Sequence, residues 1–177
     1  MDALLRLLPH SLNLPIVITQ DMPPTFTGLL AEQLTRDTGW QVREAVDGDE
    51  ILPGQVLLAP GDFHMRAQRD GMTVNVKLDQ REKENFCRPA VDPMLRSLVP
   101  IYDAQVLAVI LTGMGYDGLK GCENVAAYGG TVIAQDEASS VVWGMPGAVT
   151  TAGLCSAVRP IEELARLIVQ MSKGAMP

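Results

Sequence analysis

The chain predicts an α/β fold: a doubly wound, mainly parallel β-sheet with helices on both faces, plus an antiparallel hairpin. Three observations predict it. Short runs rich in Val, Ile and Leu (PIVIT, QVLLAP, QVLAVILT, TVIAQ) recur along the 177 residues, and continuously apolar strands are those buried on both faces. Segments of helical period separate them, as in βαβ units. One stretch differs: in HMRAQRDGMTVNVKL the second half alternates polar and apolar residues, and Asp70-Gly71 supplies a turn.

Taken in order, MDALLRLLPH reads as an amphipathic helical turn and PIVIT (15–19) as a buried strand. TFTGLLAEQLTRDTG (25–39) reads as a helix capped by Thr25, with Leu29, Leu30 and Leu34 inward and Gly39 at its end. WQVREAV (40–46) and QVLLAP (55–60) are strands, and the hairpin covers 64–78. In 91–104 Asp92 caps a helix and Pro93 takes its first position. QVLAVILT (105–112) is the strongest buried strand, followed by a helix over 116–130 and the strand TVIAQ (131–135). A short helix (145–153), a short strand (156–160) and an amphipathic helix (161–174) close the chain.

The composition bounds the function. With 47% hydrophobic and 20% charged residues the chain can bury a good core, and residues 1–177 read as a single domain. A net charge of −7 argues against a phosphate-binding face, so no nucleic acid is expected as partner. No apolar run is long enough for membrane insertion, and the N-terminus is not a signal peptide. Cys87, Cys122 and Cys155 form no CxxC pair and read as buried, reduced thiols of a cytoplasmic protein.

Sites in such sheets lie at the carboxyl ends of strands, which directs attention to Thr19-Gln20-Asp21, to APGD (59–62) and to LTGMGYDG (111–118). In the last of these, glycines permit tight turns and close approach of a ligand. Asp117 there is either a helix cap or an acid that orients a histidine, as in a Ser-His-Asp triad. The spacing fits neither a dinucleotide fingerprint nor a P-loop. The histidines are His10 and His64 alone, and there is no GxSxG elbow. Asp21 and Asp117 could form a carboxylate pair, or with Asp62 bind a hard cation, but no metal and no cofactor are expected. Arg88 stands at the mouth of the site or on the surface, and Trp143 shapes a pocket wall or closes a core edge.

LTGMGYDG, APGDFHM, CRPAVD and AQDEASSVVWGMPGAV closely resemble the catalytic domain of CheB-type chemotaxis protein-glutamate methylesterases. The resemblance runs collinearly from about residue 2 to 172. It implies hydrolysis of glutamyl methyl esters on receptor helices by a Ser-His-Asp triad without cofactor, in proteins where a receiver domain usually precedes the catalytic one. Asp117 falls on the triad aspartate. Gly113, Met114 and Gly115 fall on the loop beside the oxyanion, and Met22, His64, Arg88, Trp143 and Met145 belong to the same pocket region.

Two departures stand out. The family's histidine lies in a string like QHMPPxFT, whereas this chain has QDMPPTFT, with Asp21 at that position. The family's serine lies in a GASTGG-like turn before the helix matched by DALLRLL, and this sequence begins after it. The expectation is therefore a degenerate module: the fold kept, the hydrolysis lost or severely impaired, and a chemoreceptor or other signalling protein bound. The rival expectation is a residual ester hydrolase using Asp21, Asp117 and His64. Asp21 and Asp117 should repel, with one taking up a proton. Without the strand before the serine turn, the neighbouring strands must close up or another chain must cover the gap. Self-association, as a homo-oligomer, is expected on the same ground.

Overall fold

The computed structural model describes residues 1–174. Its elements in chain order are α1 (Asp2–Leu7), β1 (Ile16–Ile18), α2 (Pro24–Thr38), β2 (Val42–Glu44), β3 (Val56–Leu58), β4 (His64–Asp70), β5 (Thr73–Asp79), α3 (Val91–Tyr102), β6 (Leu107–Ile110), α4 (Leu119–Ala127), β7 (Thr131–Gln135), α5 (Gly144–Thr151), β8 (Ala157–Arg159) and α6 (Ile161–Ser172). The parallel strands form two three-stranded sheets, β1-β3-β2 and β6-β7-β8, and β4 pairs with β5 in an antiparallel ribbon.

Alternation along the strands assigns side chains to two cores, one on each face. Leu57 and Ala59, with Ala108, Ile110, Val132 and Ala134, meet α3, α4 and α5 through Leu95, Cys122, Val125 and Val149. Val56, Leu58 and Ile133 face the opposite way and meet α1, α2 and α6 through Leu4, Leu5, Leu34, Leu164 and Ile168. This two-sided burial is why the strands read as continuous apolar runs. Full burial of Leu164 or Ile168 stabilises the fold by about 1.5–3 kcal/mol each.

Several local expectations change. Pro23, not Thr25, is the N-cap of α2, which starts at Pro24 because proline's fixed φ suits a first helical turn. The buried side of α2 is Thr27, Ala31, Leu34 and Thr38, while Leu29 faces solvent. Gly39 ends the helix at φ 76°. The hairpin turn centres on Gly71-Met72, because Asp70 already pairs with Thr73. Asp92 lies inside α3 rather than capping it, since Ala90 is the N-cap.

Of the two expected outcomes, closing-up of the strands or cover by another chain, the first is not seen among the described residues. β1 bonds only to β3 and β6 only to β7, so the parallel strands form two half-sheets rather than one continuous sheet.

Candidate functional site

The carboxyl ends of β1, β3 and β6 converge on the first turn of α3. From β1 the chain runs through Thr19, whose hydroxyl meets Met94 Sδ at 3.2 Å, to an exposed Asp21 and a half-buried Met22. The approach to α2 is tight. Thr27 Oγ1 donates to Pro24 O at 3.1 Å and accepts from Gly61 N–H at 3.0 Å. A Cβ at Gly61 would lie 2.4 Å from Pro24 N and 2.7 Å from Met22 O, so only glycine lets the β3 end pass under the segment that carries Asp21.

Asp117 is the best-anchored acid in the molecule. It is 6% exposed. Its Oδ2 accepts Val91 N–H at 2.6 Å; its Oδ1 accepts Asp92 N–H at 3.2 Å, Gly118 N–H at 3.0 Å and Asn85 Nδ2 at 2.9 Å. It is thus a cap, but of α3, a helix on a different stretch of chain. Burial pushes its carboxyl above the usual range, opposed by these donors and aided by the charge of Asp92. Asp92 is itself buried and accepts Gly121 N–H at 2.7 Å and Asn85 Nδ2 at 2.8 Å. Asn85, held at φ 53°, therefore clamps two buried acids with one amide. The carboxylate that perturbs Asp117 is Asp92 rather than Asp21, contrary to the expected repulsion.

Asp21 instead lies beside Cys87. Burial, then the Asp21 charge, push the Cys87 thiol up to about 12. The sulfur also faces Asn85 O at 3.3 Å. Cys87, Asn85 and Asp92 were not legible as a group. They fall in NFCRPAVD, a stretch without catalytic spacing, and only the fold carries them to Asp117.

The glycine loop after β6 is braced from β7 and the segment before α5. Gly113 N–H donates to Val142 O at 3.0 Å and Met145 N–H to Gly113 O at 2.9 Å. Thr112 N–H donates to Gln135 Oε1 at 2.9 Å, and Trp143 Nε1–H to Gln135 O at 3.2 Å. A Cβ on Gly113 would come within 2.5 Å of Met145 Sδ. Met114 and Gly115 stand at the tip, Met114 with 82% exposure. Trp143 is half-buried and closes the edge of the loop.

Two of the expected pocket residues are committed elsewhere. His64 is fully buried: Ala90 N–H donates to its Nδ1 at 3.3 Å, which leaves Nε2–H to donate to Glu82 O at 2.9 Å. Arg88 binds Asp62 through Nε and Nη2 at 3.0 and 2.6 Å and donates to Gln80 O and Arg81 O. That ion pair holds the Asp62 carboxyl below its usual range. His10, the other histidine, meets Thr38 O at 3.0 Å. Among the described residues no three His, Cys, Asp or Glu side chains are grouped to hold a metal.

Parallel sheets with helices on both faces, and an acid and a braced glycine loop at their carboxyl ends, define an α/β domain with one candidate site. The chain belongs to the CheB methylesterase family, whose model matches residues 1–168. It is 60% identical over 158 residues to protein-glutamate methylesterase/protein-glutamine glutaminase 1 of Paramagnetospirillum magneticum, covering 89% of this chain and 42% of that protein. It is 54% identical over 173 residues to the group 2 operon protein of the same description from Rhodospirillum centenum, covering 97% of this chain and 44% of that one. The chain thus spans less than half the length of these relatives. The crystal structure of the Thermotoga maritima CheB methylesterase catalytic domain superposes with a TM-score of 0.93 at 43% identity, covering 96% of this chain and 90% of that one.

Proposed function

We propose that this chain is a methylesterase-family module of chemosensory signalling in which ester hydrolysis is lost or severely impaired, and that it acts by binding a chemoreceptor or another signalling protein. The observation that supports this is Asp21, at the carboxyl end of β1 beside Cys87, in the position where the resembling family holds its histidine. A carboxylate is too weak a base to stand in for an imidazole in taking a proton from a hydroxyl. Neither histidine substitutes for it: His64 is buried with both nitrogens engaged, and His10 sits against the end of α2. The Cys87 thiol is no replacement nucleophile, because burial and the Asp21 charge keep it protonated.

The binding half of the proposal draws on the exposed rim beside Asp117. Phe86 is 89% exposed, and it lines an open cleft of about 490 Å³ with Lys83, Asn85 and Tyr116. Such a rim suits an apolar helix face. Incubation with methylated receptor and assay of methanol release tests the catalytic half: release at background level is expected, and turnover near that of the Paramagnetospirillum relative would overturn it. Binding of the same receptor fragment tests the other half, with Phe86→Ala expected to weaken it.

A residual hydrolase is the second reading, favoured by the retained Asp117 and the braced Gly113 loop. Under it, Asp117→Asn abolishes a reproducible activity toward methyl ester or glutamine amide while the fold is kept. Under the leading reading there is no such activity to lose.

A further inference from the structure

The turn before α3 holds two residues in a strained conformation. Glu84 N–H donates to Cys87 O at 3.2 Å and Cys87 N–H to Glu84 O at 2.9 Å. Between them Asn85 and Phe86 stand at φ 53° and 67°. Two positive φ values in succession make the arrangement of a type I′ turn, which favours glycine at its second position. Phenylalanine there is strained, and such strain persists only where the surroundings impose it, often at functional sites. Here two buried acids impose it: Asn85 Nδ2 donates to Asp92 Oδ2 at 2.8 Å and to Asp117 Oδ1 at 2.9 Å.

That clamp fixes which way the amide faces. Asp92 and Asp117 already accept main-chain N–H groups, and both N–H bonds of the Asn85 amide are committed to them. Its Oδ1 is therefore turned away. Among the described residues no donor meets that oxygen, and it reaches solvent. Asn85 lines the open cleft with Lys83, Phe86 and Tyr116. Lys83 is exposed, and its charge reaches Cys87 beside Asp21. The cleft thus offers one fixed acceptor, one cationic donor on a flexible stem and two aromatic side chains.

Each class of incoming side chain meets this set differently. A cation is repelled by Lys83. A carboxylate pairs with Lys83 but faces the Asn85 oxygen, with Asp92 and Asp117 behind it. An ester accepts from Lys83 and leaves Asn85 Oδ1 without a donor. A primary carboxamide satisfies both groups: its N–H donates to Asn85 Oδ1, its C=O accepts from Lys83, and its methylenes lie against Phe86 and Tyr116. We propose that the cleft is a carboxamide subsite, in which Asn85 and Lys83 select a glutamine side chain on the apolar helix face of a partner and reject the methyl-ester and carboxylate counterparts. This rests on the binding reading above and deepens it: the module reads the chemical state of one side chain rather than changing it.

Three soluble helical peptides test it, each with a Leu/Ala face and one central residue: glutamine, glutamate or glutamate γ-methyl ester. Binding is followed by NMR titration of the Phe86 and Tyr116 signals. The glutamine peptide is expected to bind about tenfold tighter than the ester, the effect of one lost hydrogen bond, and tighter than the glutamate peptide as well. Asn85→Gly removes the amide but accepts the positive φ, and is expected to bring the glutamine and ester peptides to equal affinity. Lys83→Met, at an exposed position, is expected to weaken the glutamine peptide with the fold unchanged. Equal affinity of the three peptides for the native protein, tighter binding of the ester, no binding of any peptide at its solubility limit, or a glutamine preference that survives both substitutions would overturn the proposal. The receptor fragment separates the two readings. A fragment that binds through Phe86 while the three side chains are not distinguished sinks the subsite alone, and a fragment that does not bind sinks both.

Discussion

Asp117 makes four hydrogen bonds, three of them to main-chain N–H groups, so its first task is to hold α3 in place. Asp117→Ala leaves those donors unpaired in a buried site and should cost about 1–3 kcal/mol in urea unfolding. Its pH signature is distinctive. Because the folded carboxyl is raised above its ordinary value, the stability it contributes is present when it is protonated and is lost as pH rises through the raised value. Glu84, paired with Arg96, has the opposite sign: its carboxyl is held below the usual range, so its contribution is lost as pH falls through that lowered value. The native protein should therefore lose stability relative to Asp117→Asn as pH rises above about 4, which unfolding curves across that range will show or refute. Cys87 gives a second residue-level test. With its thiol near 12, alkylation should be slow at pH 8, and Asp21→Asn should speed it by removing a nearby negative charge. An unchanged rate would mean that Asp21 does not act on Cys87.

At the scale of elements, the parallel strands were readable because burial on both faces leaves an uninterrupted apolar signature, and TVIAQ matches β7 residue for residue. Caps and turns were not. Thr25 has the right side chain for a cap, but Pro23-Pro24 begins the helix two residues earlier. Asp92 has the pattern of an N-cap, yet α3 is capped by Asp117 from across the fold. Long-range pairing of this kind leaves no local spacing to read, which is also why the placing of Asn85 beside Asp117 and of Cys87 beside Asp21 was not legible, while Asp21 and Asp117 themselves, at strand ends, were. The junction of β3 with α2 makes a concrete prediction. A Cβ on Gly61 meets main-chain atoms of Pro24 rather than a flexible side chain, so Gly61→Ala should destabilise by about 1–3 kcal/mol and shift the NMR signals of Asp21 and Met22. Silence at those two residues would mean the segment adapts freely.

For the whole molecule, the family's fold is retained, with a TM-score of 0.93 to a methylesterase catalytic domain, and among the described residues the parallel strands form two three-stranded sheets. The scaffold of the Gly113 loop and Asp117 is intact. The proposed loss of hydrolysis rests on position 21, where the sequence has Asp21 and the resemblance implies a histidine. The most direct test places the GASTGG-like serine turn that the resemblance implies ahead of α1 and compares methanol release from methylated receptor with and without Asp21→His. The account predicts that D21H raises the rate by about 10²–10⁴-fold, the usual worth of a positioned general base. Equal rates in the two proteins, with both folded and both binding receptor, would contradict it.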